Sequence, residues 1–411
     1  MKNKVILAMA VLLQLMPVGV SAQRVKTGIE VLRESGFALL QGKRVGLITN
    51  PTGVDHYLKS TVDILNEAPN VKLVALYGPE HGVRGNVYAG DSVGMTIDKQ
   101  TGVPVYSLYG KTRKPTPEML KGIDVLVYDI QDIGCRSYTF ISSMGLAMKA
   151  AAEHNIEFVV LDRPNPIDGL KVEGCLTEEP FISFVSQFRI PYLYGLTCGE
   201  LAKMLNEENL LGKKCKLTVV PMKGWKRNMN FEKTGLPWVL TSPHIPEATS
   251  AYYYSASGIL GELGFMSVGV GYTIPFKMFA KDSINAGLLS QRLNDLHLPG
   301  VLFRPIYLKP FYSTGKGENY SGVQIYLTDY KNARLTEIQF YVMQEMAALY
   351  PQKKCFSDST ASRFNMFDKV CGTDQIRLRL SANMNVADIL PYWRKDEATF
   401  KKMSKKYYLY Y

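Results

Sequence analysis

Polar and ionisable side chains follow four of the short apolar runs in this chain, each at the point where the run ends. They offer carboxylate, carboxamide, imidazole, guanidinium and phenol groups. The candidates are Asn50 after one run, Glu80, His81 and Arg84 after the next, Asp129, Gln131, Asp132, Arg136 and Tyr138 after a third, and Asp162, Arg163 and Asn165 after a fourth. Because the carboxyl ends of parallel strands meet at one edge of a sheet, we expect these side chains to converge on one cleft.

Glu80 lies in a turn bracketed by glycines, which would hold its carboxyl group in one direction. A glycosidase needs such an acid to protonate the leaving oxygen, and a second group to supply or activate the nucleophile. The candidates for that second group, or for a like charge that raises the pKa of Glu80, are Asp129, Asp132 and Asp162. Capping a helix or bracing an arginine is the structural alternative for each aspartate. His81 is expected to orient the carboxylate.

Other chemistries lack the residues that they require. No G-x-G-x-x-G sequence follows the first run and no Walker lysine occurs, so we expect no nucleotide cofactor. The serine-nucleophile motif G-x-S-x-G is absent from the strand ends, and we interpret Cys135 as a small loop residue rather than an activated thiolate. A metal-dependent hydrolase stays open as an alternative, with the ligands Asp129, Asp132, Asp162 and His81.

The elements that position these residues alternate between apolar runs and helical stretches. Strands are predicted at residues 45–49, 73–77, 105–108, 125–130, 158–161 and 217–220, and helices near residues 61–66, 117–121, 143–154 and 198–209. This alternation is typical of parallel strands covered by crossover helices, and it predicts an α/β fold with a Rossmann-like, doubly wound, mostly parallel sheet. A closed eight-stranded barrel is the rival, but the count is two units short.

The alternation stops after Trp225. The glycine-rich stretch 255–271 predicts a loop-rich layer over the open edge of the sheet, and a smaller α+β domain should follow. That domain should contain a helix at residues 286–296, strands at residues 301–308 and 322–327, a helix at residues 336–350 and a helical tail at residues 388–405. The aromatic C-terminus, residues 407–411, is expected to dock onto the fold. We divide the chain into residues 1–22, 23–278 and 279–411.

The N-terminus has the pattern of a secretory signal peptide. Basic residues at Lys2 and Lys4 precede an apolar run at residues 5–15, and small residues end at Ala22. The run is shorter than the roughly 20 residues that span a bilayer, so we expect cleavage and no stable membrane insertion. The chain should then be exported, to the periplasm or the extracellular space.

Charge and cysteine content narrow the partners. The formal net charge is +11, but the Lys and Arg residues are spread thinly, which favours anionic partners in general. Nucleic acid is not expected, because no basic helix, finger spacing or aromatic RNA-binding motif accompanies the charge. An acidic glycan fits the exported compartment. The six cysteines contain no C-x-x-C pair, and either a bridge between Cys355 and Cys371 or free buried thiols would be compatible with this spacing.

Four blocks of the sequence occur in a recognisable order. They are residues 46–53 (GLITNPTG), residues 78–82 (GPEHG), residues 129–134 (DIQDIG) with Arg136 and Tyr138, and residues 162–166 (DRPNP). These blocks resemble the signature sequences of the NamZ-type exo-β-N-acetylmuramidases, a family of peptidoglycan glycoside hydrolases once classed as a domain of unknown function. The similarity continues to an F-x-K-V-x-G-x-D block at residues 367–374.

The resemblance implies a Rossmann-like catalytic domain (residues 23–278) and a C-terminal α+β auxiliary domain (residues 279–411). It further implies removal of N-acetylmuramic acid from the non-reducing ends of peptidoglycan fragments, with Glu80 and His81 in the cleft between the domains and Glu262 among the substrate-binding residues. The sequence departs from the family pattern where Phe265 and Val270 replace an expected asparagine and arginine, and where His244 follows Ser242 and Pro243.

The leading hypothesis is therefore a glycosidase with Glu80 as general acid. An aspartate such as Asp132 or Asp162, or a group that orients water, would assist it, and Arg136 or Arg163 would bind the lactyl carboxylate of the sugar. A non-catalytic peptidoglycan-fragment binder is the second hypothesis, motivated by the replaced asparagine and arginine. The metal-dependent hydrolase is the third.

Overall fold

The chain forms a large, mostly parallel sheet with helices on both faces, followed by a smaller region of helices around a three-stranded sheet. A computed structural model describes residues 24–85 and 95–411. The predicted signal peptide at residues 1–22 lies outside the described residues. The predicted fold class, a Rossmann-like α/β sheet with a smaller C-terminal α+β part, is confirmed.

All six predicted strands are present, with bounds within one residue of the prediction. The strands of the first part are β1 Arg44–Thr49, β2 Lys72–Gly78, β3 Thr96–Ile97, β4 Pro104–Ser107, β5 Val125–Asp129, β6 Glu157–Leu161, β7 Val172–Glu173, β8 Leu193–Tyr194 and β9 Lys216–Val220. The large sheet has the order β3-β4-β2-β1-β5-β6-β9, in which only β3 is antiparallel to its neighbour, and β7 pairs with β8. The order turns back at β1, which places the crevice of the sheet beside this strand.

The helices of this part are α1 Gly28–Glu34, α2 Thr61–Glu67, α3 Phe140–Glu153 and α4 Cys198–Glu207. The sequence starts α4 with a capping box, since the Thr197 and Glu200 side chains each bond to the other's backbone N–H. The predicted helix at residues 117–121 is wrong. That segment forms turns, because Gly122 has a φ angle of 79° directly after it and too few residues remain for a helix.

Both faces of the central strands are buried, as a doubly wound sheet requires. In β5, Val125 and Val127 pack with α1 and α2, whereas Leu126 and Tyr128 pack with α3 and α4. A strand buried on both sides is therefore a continuous apolar run rather than an alternating one.

The elements of the C-terminal part are α5 Ser250–Leu263, β10 Met278–Lys281, α6 Ala286–Asp295, β11 Val301–Leu308, β12 Tyr320–Leu327, α7 Ile338–Leu349, α8 Ala361–Cys371, α9 Gln375–Asn383, α10 Leu390–Trp393 and α11 Glu397–Ser404. Strands β10, β12 and β11 form an antiparallel sheet in that order. The predicted single helix at residues 388–405 is instead two short helices, with turns between Trp393 and Glu397.

The predicted loop-rich layer at residues 255–271 is wrong, because most of it belongs to helix α5. Glycine in this helix serves close packing: a Cβ atom on Gly261 would lie 3.0 Å from a methyl carbon of Val268. Helix α5 packs against α7 and α8 of the C-terminal part. The division at residues 278 and 279 stays a prediction, and this packing favours a boundary ahead of α5.

The aromatic C-terminus docks onto the sheet, as predicted. Tyr407 and Tyr410 are buried, and the Tyr410 hydroxyl donates to Asp162 Oδ2 at 2.6 Å. All six cysteines are free and buried. Within residues 24–85 and 95–411, we found no helix with the length and hydropathy needed to cross a membrane.

Candidate active site

Glu80 lies in a tight turn directly after strand β2. The Gly82 N–H donates to the Pro79 carbonyl at 3.0 Å and closes the turn. His81 and Gly82 have φ angles of 73° and 74°, and a left-handed conformation at a non-glycine residue costs energy that the surrounding structure must offset. The turn thus fixes the direction in which the Glu80 side chain leaves the edge of the sheet.

The turn opens into a cleft of about 500 Å³ between the two parts of the chain. The large sheet contributes Glu80, His81 and residues that follow β4 and β5. The C-terminal part contributes Glu262 from α5 and Lys369 from α8. A cleft of this volume has the size of a small-molecule site.

Two hydroxyl groups lie beside the Glu80 carboxyl group. Thr139 Oγ1 donates to Glu80 Oε2 at 3.2 Å. Burial, followed by the charge and hydrogen bonding of Glu80, raises the pKa of Tyr109 to about 12, so this phenol stays a proton donor at neutral pH. Thr139 and Tyr109 thus hold the Glu80 carboxyl group in the lining of the cleft, where it can act on a bound molecule.

Two histidines face each other in the cleft. His81 Nδ1 is buried and has no hydrogen-bond partner among the described residues. Burial, and then the charge of His81, lowers the pKa of His244, which keeps this imidazole neutral at neutral pH. His244 Nε2 lies 2.6 Å from the Tyr312 hydroxyl, so the loop after β11 holds its ring in place.

Glu262 is a second carboxyl group in the cleft. It lies on α5, and burial raises its pKa, an effect that the charge of Arg363 partly opposes. Glu80 and Glu262 come from different parts of the chain, so only the assembled fold brings them to one cleft.

Four of the twelve residues predicted for the site line this cleft, namely Glu80, His81, Tyr138 and Glu262. The other eight are bonded to protein groups around the sheet edge and lie outside the cleft lining: Asn50, Arg84, Gln131, Asp132, Arg136, Asp162, Arg163 and Asn165.

Asp162 and Arg163 illustrate this second group. Asp162 accepts hydrogen bonds from Thr197 Oγ1, the Gly199 N–H and the Tyr410 hydroxyl, and so fastens the C-terminus to the sheet. Burial raises its pKa to about 6. Arg163 makes a buried ion pair with Asp129, with 2.5 Å between Nε and Oδ1. The hydrogen bonds of Asp162 and the ion pair of Arg163 are therefore made within the fold.

Asp132 is a buried carboxyl group behind the cleft. Its Oδ2 accepts from the Gly134 N–H at 2.7 Å and from the Tyr194 hydroxyl, whereas its Oδ1 has no partner among the described residues. Burial raises the pKa of Asp132 to about 7. The folded protein therefore holds a proton here that the unfolded chain releases near pH 4.

Asp132→Asn is expected to make stability less dependent on pH. Because the folded state binds the extra proton, ionisation of Asp132 lowers the free energy of unfolding as pH rises from about 4 to about 7. Asparagine keeps an acceptor for Tyr194 and cannot ionise. Between pH 5 and pH 8, the free energy of unfolding of wild type should therefore fall by more than about 1 kcal/mol relative to that of Asp132→Asn, as measured by urea unfolding. Exposed Asp295→Asn is the control, and parallel profiles for wild type and Asp132→Asn would contradict the buried proton.

Arg136 is fully enclosed by the fold. Its guanidinium donates to the backbone carbonyls of Cys175, Ile190, Val370 and Cys371 at 2.5–3.0 Å, and its Nε donates to Ser186 Oγ at 3.1 Å. These acceptors belong to both parts of the chain. In this position Arg136 ties the C-terminal end of α8 to the loops of the large sheet.

The polar residues of the cleft that were not predicted for the site are Tyr109, Arg113, Ser137, Thr139, Ser183, Ser242, His244, Tyr254 and Lys369. Tyr109 and Arg113 follow strand β4, so the strand-end argument would have found them if it had been applied to that strand. Lys369 is the lysine of the F-x-K-V-x-G-x-D block. His244 stood out only as a departure from a family pattern.

Within the described residues, no group of three or more His, Cys, Asp or Glu side chains is arranged to hold a metal ion. Three members of the set considered for a metal site already have protein partners: Arg163 for Asp129, Tyr194 for Asp132 and Tyr410 for Asp162. These contacts disfavour a metal-dependent hydrolase that uses these side chains as ligands.

Comparison with known proteins gave matches over nearly the whole chain. Family models described as exo-beta-N-acetylmuramidase NamZ, N-terminal and C-terminal, match residues 45–249 and 252–410. The peptidoglycan beta-N-acetylmuramidase NamZ of Bacillus subtilis (strain 168) is 47% identical over 387 residues, which cover 94% of this chain and 92% of the relative.

Two solved structures are also similar. A crystal structure of a DUF1343 family protein from Bacteroides fragilis NCTC 9343 superposes with a TM-score of 0.92 at 64% identity, covering 94% of this chain and 99% of the other. A second DUF1343 protein from the same organism, at 28% identity, gives a TM-score of 0.75 with the same coverage.

Proposed function

The chain belongs to the exo-β-N-acetylmuramidase NamZ family, and on this premise we propose that it is an exo-acting glycoside hydrolase that releases N-acetylmuramic acid from the non-reducing ends of peptidoglycan fragments. The observation that carries the proposal is the cleft, which Glu80 of one family domain and Glu262 of the other both line. Two carboxyl groups in one cleft are what glycoside hydrolysis requires.

Glu80 is the general acid in this proposal. Thr139 occupies Oε2 as a donor, so a proton carried on Oε1 is directed away from Thr139 and is available to the glycosidic oxygen. The Tyr109 hydroxyl is the second group that hydrogen-bonds to the Glu80 carboxyl group. His81 contributes its unpartnered Nδ1 to the bound sugar or to the carboxyl group.

Glu262 takes the assisting role that the sequence analysis gave to an aspartate. It lines the cleft, whereas Asp132 and Asp162 are bonded behind it to Tyr194 and Tyr410. Water activation or direct attack on the anomeric carbon both need a carboxyl group within the cleft. Glu262 supplies one.

Phe265, one of the two replacements that motivated a non-catalytic binder, lies away from the cleft. Phe265 is buried, and the Lys281 ammonium nitrogen lies 4.5 Å from the centroid of the Phe265 ring. Phe265 also lines a separate cavity in the C-terminal part. Its change from the family pattern therefore alters packing away from Glu80. A hydrolase remains the better supported function.

Two further proposals follow from the sequence. Residues 1–22 act as a cleaved signal peptide, which places the enzyme in the compartment where peptidoglycan fragments occur. The boundary between catalytic and auxiliary domains lies ahead of α5, because α5 packs with α7 and α8.

The mature chain is expected to release nitrophenol from a β-N-acetylmuraminide at least tenfold faster than from the matching β-N-acetylglucosaminide. An exo-acting enzyme should also cleave a disaccharide with N-acetylmuramic acid at the non-reducing end and leave the reversed disaccharide intact. Chromatographic detection of the released sugar measures both.

The α-anomer of the muraminide serves as the substrate control, and dialysis against EDTA separates this enzyme from a metal-dependent hydrolase. Equal rates on the two sugars, or no cleavage of either, would overturn the substrate assignment.

A further inference from the structure

The cleft contains two cationic side chains that the proposed hydrolysis does not use. Arg113 and Lys369 line it together with Glu80, and neither makes an ion pair within residues 24–85 and 95–411. The two arginines first expected to bind an acidic sugar, Arg136 and Arg163, are instead fully engaged by backbone carbonyls and by Asp129.

Arg113 has a defined position although it is exposed. Its guanidinium carbon lies 4.4 Å from the centroid of the Phe184 ring, a cation–π contact that restricts a long side chain. The Phe184 ring lies in turn 6.2 Å from the ring of Tyr109, the phenol beside Glu80. The cation–π contact thus holds the Arg113 guanidinium on the wall of the cleft that Glu80, Tyr109 and Phe184 also line.

A guanidinium without an ion-pair partner among the described residues fits the chemistry of an N-acetylmuramic acid residue. The sugar carries a lactyl ether on carbon 3, two bonds from the anomeric carbon whose glycosidic bond is cleaved, and the lactyl group ends in a carboxylate. A cation for that carboxylate must therefore lie in the same cleft as the general acid. A guanidinium also offers two parallel N–H donors to the two carboxylate oxygens.

We propose that Arg113, held by Phe184, binds the lactyl carboxylate and makes the cleft selective for N-acetylmuramic acid over N-acetylglucosamine. The inference rests on the proposed function for its substrate. Arg113 is preferred to Lys369 because its guanidinium is held against the Phe184 ring, and because a lysine ammonium is a flexible point charge without the planar fork.

The test compares nitrophenyl β-N-acetylmuraminide with the same compound whose lactyl carboxylate is converted to the primary amide. Arg113→Gln should lower kcat/KM on the free acid at least tenfold and change kcat/KM on the amide less than about threefold. Arg113→Lys should recover part of the loss. Lys111→Gln removes an equal charge from an exposed position of the same loop and should leave the acid-to-amide ratio unchanged.

Calorimetry with free N-acetylmuramic acid and N-acetylglucosamine makes the result independent of turnover. A selective loss of N-acetylmuramic acid binding in Arg113→Gln supports the inference even if the wild-type chain hydrolyses neither muraminide, an outcome that would sink the proposed function alone. Equal loss for both sugars would overturn the inference, as would wild-type indifference to the amide. A selective loss in Lys369→Met with none in Arg113→Gln would transfer the role to Lys369.

Discussion

Glu80→Gln is expected to lower kcat by about 10²- to 10⁴-fold on a natural disaccharide, the usual contribution of general acid catalysis. Glutamine has nearly the same shape, and its carbonyl oxygen still accepts the Thr139 hydrogen bond. The transferable proton is the property that is lost. Substrate affinity and melting temperature should therefore change little.

The dependence on the leaving group identifies what Glu80 does. A nitrophenol leaves as a stable anion and needs little protonation, so the deficit of Glu80→Gln should shrink on a nitrophenyl muraminide. A full deficit on both substrates would make Glu80 the nucleophile or base, in keeping with its two hydroxyl neighbours. Unchanged turnover on both would remove Glu80 from the mechanism.

Glu262→Gln is the matched variant, because it removes the other glutamate carboxyl group that lines the same cleft. If Glu262 assists attack on the anomeric carbon, its deficit should be the same on good and poor leaving groups. A fall in melting temperature without a change in kcat would instead make either residue a brace of its loop. Thermal unfolding of both variants supplies that control.

The strands and the edge of the site were predictable from sequence because parallel strands buried on both faces leave continuous apolar runs. The loop after such a strand must lie at the carboxyl edge, which was enough to place Glu80 and His81. Helix α5 was missed because its glycines, which allow close packing in the core, resemble loop residues in composition. Local composition does not show which neighbour a glycine faces.

The sequence could not show which polar strand-end residues bond within the fold, because their partners are distant in the sequence. Asp162 accepts a hydrogen bond from Tyr410, 248 residues away, and Arg136 donates to the carbonyl of Cys371, 235 residues away. Arg113 and Lys369 became candidates for binding only because the fold leaves them in the cleft, where neither has an ion-pair partner among the residues that the structure describes. A strand-end rule identifies a location, and the surrounding packing decides which side chains stay available.

Arg136→Met is expected to lower the free energy of unfolding by at least about 3 kcal/mol, since several buried acceptors lose their donor and each such loss costs roughly 1–3 kcal/mol. Burial lowers the pKa of Arg136, because removing the guanidinium from water disfavours its charged form. The four carbonyls and Ser186 replace its water shell. Methionine fills much of the volume and offers no N–H group.

The position of these carbonyls predicts how the variant fails. They come from the loops near β8 and from the end of α8, so the loss should loosen the C-terminal part from the large sheet and affect every ligand alike.

Arg136→Lys should recover little, because an ammonium group has three donors and no planar fork. Exposed Arg189→Met, beside the acceptor Ile190, should stay within about 0.5 kcal/mol of wild type in urea unfolding. If Arg136→Met unfolded like wild type and lost only N-acetylmuramic acid binding, Arg136 would be a substrate ligand after all, and the carboxylate site would have to be moved from Arg113 to the sheet edge.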